Sequence, residues 1–300
     1  MAIVSALSGV MYAQLEPMLG TPYPIMERLK NDGGQLVYPL FAAQNDNIDS
    51  AEPWEILAYL PGSGAGLPSV NAFAERWLAG GSQRFYLATT NSGVVAPVPA
   101  IDPEKPATRF MAPYRYGYGN VNAPAFSAGF CRAAWRARVL VDAAASMSPA
   151  GSKITILGQS AGATAALAYL AGYAGNVYPS KFQGAVCNAA TQASLGNGRW
   201  NDAPRVISSM AQMYGQVLAR PYVGLYADLD VYAPPDFVHR WQPVIPPESP
   251  TYLLSPGAYG HNWMATSDTT LDMVFEWVRQ VHEGDTVLDR FGEPAKRLEA

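Results

Sequence analysis

The ten residues Lys153-Ile-Thr-Ile-Leu-Gly-Gln-Ser-Ala-Gly162 leave the backbone few options. The β-branched run at 153–157 predicts a short strand, and the Ala-rich stretch at 163–171 predicts a helix straight after it. Strand and helix can join so abruptly only through a very tight bend. Gly158 and Gly162 flank Ser160 at two residues' distance and lack the Cβ atoms that would collide in such a bend. The turn pushes the serine hydroxyl clear of the sheet. It also puts the N–H of Ala161 at a helix start, where no intrahelical acceptor exists and a developing negative charge can be met. The segment therefore predicts a nucleophilic Ser160, with a plain glycine-bounded turn as the alternative.

Strand-like and helix-like segments alternate from about Gln35 onward, the signature of an α/β fold with a mainly parallel central sheet and helices on both faces. Strands are predicted at 35–42, 54–60, 84–90, 182–187, 221–226 and 251–254. Helices are predicted at 70–78, 125–145 and 203–218. The closing helix repeats Leu271, Val274, Phe275, Val278 and Val281 on one face, and Thr269 to Asp272 has capping-box spacing. One domain is expected over residues 35–300. Two stretches escape the alternation. Residues 1–34 form an N-terminal extension, predicted to be helical and suited to pack on the domain or on a second copy in a homo-oligomer. Residues 93–122 hold several prolines and then Tyr114-Arg-Tyr-Gly-Tyr-Gly-Asn120, a loop insertion that either rims a site or packs over the sheet.

Composition narrows the partners. Charged residues make up 15% of the chain, well below the usual quarter, and the basic ones are scattered within a net charge of −4. Nucleic acid and acidic membrane surfaces are therefore poor partners. No apolar run reaches the roughly 20 residues that span a bilayer. Residues 1–15 are uncharged, but no Lys or Arg precedes the apolar stretch as a signal peptide requires, so the compartment stays open between cytoplasmic and exported. Cys131 and Cys187 are read as buried free thiols.

A serine hydroxyl needs a base, and the base needs orienting. Of the three histidines, His239 lies in Asp-Phe-Val-His-Arg-Trp241, a surface segment, and His282 closes the last helix, where a cation suits the helix dipole. His261 has no such explanation. It sits in Ser255-Pro-Gly-Ala-Tyr-Gly-His-Asn-Trp263, after the last strand, where loops gather at the carboxyl edge of the sheet. The orienting acid should follow a strand between serine and histidine. Val223-Gly-Leu-Tyr-Ala-Asp228-Leu-Asp230 offers two, of which Asp228 comes first off the strand and is preferred to Asp230.

Acyl transfer also needs oxyanion donors, each worth about 3 kcal/mol of barrier. Ala161 N–H is one. The loop Leu60-Pro-Gly-Ser-Gly-Ala-Gly66 suits the other, through the N–H of Ser63 or Gly64. No Gly-Lys-Ser/Thr follows this loop and no G-x-G-x-x-G is completed, which argues against a nucleotide site. Without an H-E-x-x-H or paired cysteines, metal ligation is not expected, and the chemistry proposed needs no cofactor.

The order serine, acid, histidine, together with the strand–elbow–helix and the glycine-rich loop, resembles the α/β-hydrolase superfamily from about Gln35 to His282. The Gly158-Gln-Ser-Ala-Gly162 elbow is similar to that of bacterial carboxylesterases, and Gly260-His-Asn-Trp263 is similar to the histidine loops of polyhydroxybutyrate depolymerase-like and feruloyl-esterase-like enzymes. The resemblance implies a serine-dependent carboxylesterase with Ser160 as nucleophile, His261 as base, Asp228 as acid, and Ser63 with Ala161 as oxyanion hole. Gln159, Trp263 and Tyr116 are the expected substrate-binding positions, with Tyr114 and Tyr118 adding to an aromatic pocket for a small-molecule ester. Pro61 departs from the superfamily's frequent His-Gly pair and leaves the oxyanion donor open. Amidase, peptidase or acyltransferase chemistry would use the same triad. A binding or assembly protein on the same scaffold is the reading of another class.

Overall fold

A computed structural model describes residues 34–37, 40–45, 48–62, 72–89, 94–97, 123–190, 210–233 and 241–295. Its elements are β1 Gly34–Val37, β2 Leu40–Gln44, β3 Glu55–Leu60, α1 Ala72–Ala79, β4 Arg84–Thr89, β5 Val94–Pro97, α2 Ala123–Met147, β6 Lys153–Gln159, α3 Ala161–Leu170, β7 Phe182–Asn188, β8 Tyr222–Leu225, β9 Thr251–Leu254 and α4 Asp268–Glu283.

Seven strands build the main sheet in the order β2-β4-β3-β6-β7-β8-β9. All neighbours run parallel except β2, which pairs antiparallel with β4 at one edge. The inner strands are mainly apolar and buried along nearly their whole length because both faces are covered. Their period of two sorts the core into two layers. Ile56, Ala58, Leu60, Ile154, Ile156, Ala185 and Cys187 face Ala133, Ala137 and Leu140 of α2 and the whole of α3. Leu57, Tyr59, Tyr86, Leu157, Val186 and Val223 face Phe73 and Trp77 of α1 and Val274, Trp277 and Val278 of α4.

All ten residues of α3 are buried, as expected of a helix that is apolar on every side. Its alanines and glycine let it lie close between sheet and α2. The chain leaves β3 towards β4 on one side and later returns as β6 on the other. Ligands of open α/β sheets bind at such a reversal, here beyond the carboxyl ends of β3 and β6.

Several expectations change. The strand expected at 35–42 is two strands of different sheets: β1 pairs antiparallel with β5, and β2 with β4. Pro39 stands between them, and a proline cannot donate into a ladder. β5 lies inside the expected 93–122 loop; residues 98–122 are outside the described residues, as is the N-terminal extension up to 33. The cap of α4 is Ser267 with Thr270, not Thr269 with Asp272. Ser267 Oγ accepts from Thr270 N–H, Thr270 Oγ1 accepts from Ser267 N–H, and Gly284 ends the helix at φ 77°.

His282 is not the cation expected at that helix end. It is 1% exposed, its Nδ1 lies 2.9 Å from Thr155 Oγ1, and burial holds it down to about 4. Cys187 is free and buried, and burial pushes its thiol well up, so it stays protonated. Among the described residues no helix is long and apolar enough to cross a membrane.

Candidate active site

Ser160 occupies the bend between β6 and α3 with φ 51° and ψ −113°, a left-handed backbone that a non-glycine residue adopts only when its surroundings hold it. Its N–H donates to Asn188 C=O at 2.8 Å, and its own C=O accepts from Thr164 N–H at 3.0 Å. Both glycines of the motif are sterically required. A Cβ on Gly158 would lie 2.9 Å from Ala163 Cα and 3.0 Å from Cys187 Sγ, and one on Gly162 would strike the Leu60 carbonyl. The second constraint shows how tightly the end of β3 crosses the start of α3. A Cβ on Gly62 would sit 3.2 Å from Ser160 Cβ, so the loop leaving β3 passes directly beside the serine. Ser63 and Gly64 lie outside the described residues. Ala161 opens the first turn of α3.

His261 follows β9, and its Nδ1 is 2.8 Å from Asp230 Oδ2. A carboxylate only accepts, so Nδ1 carries the proton and Nε2 the lone pair. Asp230 is buried, and its Oδ1 accepts from the N–H groups of Tyr232 at 2.8 Å and Ala233 at 3.0 Å. With both oxygens engaged, the carboxylate is held in one orientation. Tyr232 packs edge-on against the imidazole at 4.8 Å between centroids.

The acid beside His261 is therefore Asp230 and not Asp228. The backbone decides between them. Asp228 N–H donates to Gly257 C=O at 2.8 Å and Leu229 N–H to Tyr259 C=O at 3.0 Å, which zips the loop after β8 onto the histidine loop. Asp228 is left exposed, accepting from Ser255 Oγ at 2.6 Å, and the chain turns inward only at Asp230. Leu229 and Val231, on either side of it, are 64% and 70% exposed.

Of the expected substrate-binding residues, Tyr116 lies outside the described residues. Trp263 is no pocket wall. It is 2% exposed, stacks on Tyr259 at 5.3 Å, and donates from Nε1 to Asn188 Oδ1 at 2.8 Å. Gln159 is half-buried and committed at both ends, accepting from Tyr59 Oη at 3.0 Å and donating to Asn262 Oδ1 at 3.2 Å. Burial keeps the Tyr59 phenol well above its ordinary range, so it stays a donor. His239 is outside the described residues.

Asn188, Tyr232 and Tyr59 were missed from the sequence. Only Asn188 carries a signal there, as a polar residue ending an apolar run at the carboxyl end of a parallel strand. Among the described residues no cluster of three or more histidine, cysteine or acidic side chains could hold a metal ion. The arrangement offers a buried serine on the elbow, an imidazole oriented by Asp230, and the N–H of Ala161 at the start of α3, parts that acyl transfer uses.

No protein-family model matches the sequence, and no curated protein matches it. Solved structures do. Thermogutta terrifontis esterase 2 phosphoramylated by tabun aligns over 83% of this chain and 95% of its own, at 12% identity and a TM-score of 0.51. The same esterase phosphorylated by paraoxon aligns over 83% and 94%, at 13% identity and a TM-score of 0.51. Zea mays acyl-protein thioesterase 2 aligns over 81% and 98%, at 15% identity and a TM-score of 0.47. At such identities the likeness is one of fold: the chain has the α/β-hydrolase fold, with its mostly parallel sheet and flanking helices.

Proposed function

On this fold we propose a serine hydrolase of carboxylic esters, with Ser160 as nucleophile, His261 as base and Asp230 as the acid that orients it. The observation that carries the reading is the 2.8 Å contact of His261 Nδ1 with Asp230 Oδ2, both oxygens of that carboxylate being engaged. His261 Nε2 takes the Ser160 proton as Oγ attacks the ester carbonyl carbon. Ala161 N–H and an N–H of the loop after Pro61, from Ser63 or Gly64, stabilise the tetrahedral oxyanion. The C–O bond to the alcohol breaks, and the alcohol leaves with the proton returned by His261. Water, deprotonated by the same imidazole, then releases the acid from Ser160.

A protein of the same fold, Thermogutta terrifontis esterase 2, is phosphorylated by paraoxon, and that class of reagent suits the test here. The protein is treated with a fluorophosphonate, the adduct is mapped by peptide mass spectrometry, and p-nitrophenyl esters from acetate to decanoate are assayed alongside. The expected result is labelling at Ser160 with ester turnover, the chain-length profile giving the depth of the acyl pocket. Folded protein that turns over esters while Ser160 stays unlabelled would overturn the assignment.

A further inference from the structure

Asn188 ends β7 with its side chain fully buried, and every polar group it offers to the site is engaged. Its backbone C=O accepts the N–H of the strained Ser160 peptide at 2.8 Å. Its Nδ2 donates to the backbone C=O of His261 at 2.9 Å, and its Oδ1 accepts from Trp263 Nε1 at 2.8 Å. The partners fix the amide's orientation, since an indole N–H only donates and a carbonyl only accepts. One residue thus grips the serine turn with its main chain and the histidine loop, at two points, with its side chain. The other bond that joins the elbow to this loop, from Gln159 to Asn262 Oδ1, is longer and exposed at 3.2 Å.

We propose that Asn188 is a positioning residue, the clamp that sets His261 against Ser160; this rests on the serine-hydrolase reading above. The Asp230 contact alone leaves the imidazole free to swing about the bond to the acid. Holding the carbonyl of His261 itself fixes where its Cα sits relative to the elbow. Misplacement of a catalytic group by about 1 Å costs on the order of 100-fold in rate.

Asn188→Asp keeps the shape and the acceptor for Trp263 but sets an oxygen against the His261 carbonyl. Asn188→Leu removes both bonds while keeping the same branching at Cγ. Each is expected to lower kcat on p-nitrophenyl acetate by about 100-fold with KM within about twofold, and to slow fluorophosphonate labelling of Ser160 in parallel. A residue that merely supported the fold would lower the melting temperature and the titratable active-site fraction but leave kcat per site in place.

Trp263→Phe removes the indole donor and keeps an aromatic ring, though a smaller one, against Tyr259, so it decides the matter if the Asn188 variants do not fold. Its kcat should fall several-fold at unchanged KM. Folded variants with kcat per site within threefold of wild type overturn the clamp while leaving the esterase reading standing. Wild-type protein inert to both ester and probe overturns both.

Discussion

Asp230→Asn tests the site most sharply, because the backbone around the carboxylate dictates what the amide must do. Oδ1 now accepts two N–H groups, from Tyr232 at 2.8 Å and Ala233 at 3.0 Å. An amide that turned its NH2 towards them would strand two buried donors, at about 1–3 kcal/mol each. The oxygen must therefore stay, and the NH2 faces His261 Nδ1 at the position Oδ2 holds now, 2.8 Å away. A donor there obliges Nδ1 to accept, which moves the ring proton to Nε2 and leaves no lone pair for the serine. The same exchange in a serine-protease triad lowers kcat about 10⁴-fold, or about 5.5 kcal/mol of barrier. A comparable loss is expected for Asp230→Asn, with a melting temperature close to wild type. Asp228→Asn should stay within about threefold of wild type, since its carbonyl oxygen still accepts from Ser255 at an exposed position. Steady-state kinetics on p-nitrophenyl acetate and a thermal melt of each variant suffice. Retention of more than about a tenth of the activity by Asp230→Asn, or collapse in Asp228→Asn, would refute the argument.

Two further outcomes follow from strain and burial. At φ 51° Ser160 pays for a backbone that glycine adopts freely, so Ser160→Gly should be more stable than Ser160→Ala by about 1 kcal/mol in urea unfolding, both being inactive; equal stability would count against a strained turn. His282 is held down to about 4 from an ordinary 6.5, chiefly by burial and then by Lys153 and Arg84 against the opposing pull of Glu55 and Glu283. The folded pKa lies below the unfolded one, so its contribution is whole above about pH 6.5. It is lost as pH falls towards 4, by about 3 kcal/mol in all. His282→Gln should therefore lose stability less steeply than wild type across that window, and parallel curves in urea titrations at stepped pH would exclude the mechanism.

How much of this was legible beforehand depends on the range of the forces involved. The elbow was readable because its constraint is local: two glycines and a serine within five residues answer to the sterics of one bend. The inner strands were readable because burial on both faces leaves mainly apolar runs. The division of residues 35–42 was not, since an apolar run does not announce which strand it will pair with. Ser267–Thr270 and Thr269–Asp272 share one spacing, and only the extended backbone at Ser267, φ −158°, selects the first. Asp228 and Asp230 are equivalent acids on paper. What separates them is pairing with residues 257 and 259, some thirty positions away. Trp263 and His282 failed for the same reason: their surroundings come from β7, β6 and α1, which no local pattern reveals.

The complete burial of α3 has a consequence for how such a site fails on heating. Ser160 stands between a buried strand and a helix enclosed on all sides, so its amides exchange with solvent only when the whole domain opens. His261 belongs to a loop tied down by a few bonds, to Asn188, to Asp230 and along 257–259, and such segments open at lower free energy. Warming then lifts the base away from an intact elbow. Inactivation should run ahead of the unfolding transition and reverse on cooling, with amides of residues 255–263 exchanging well before those of residues 153–170.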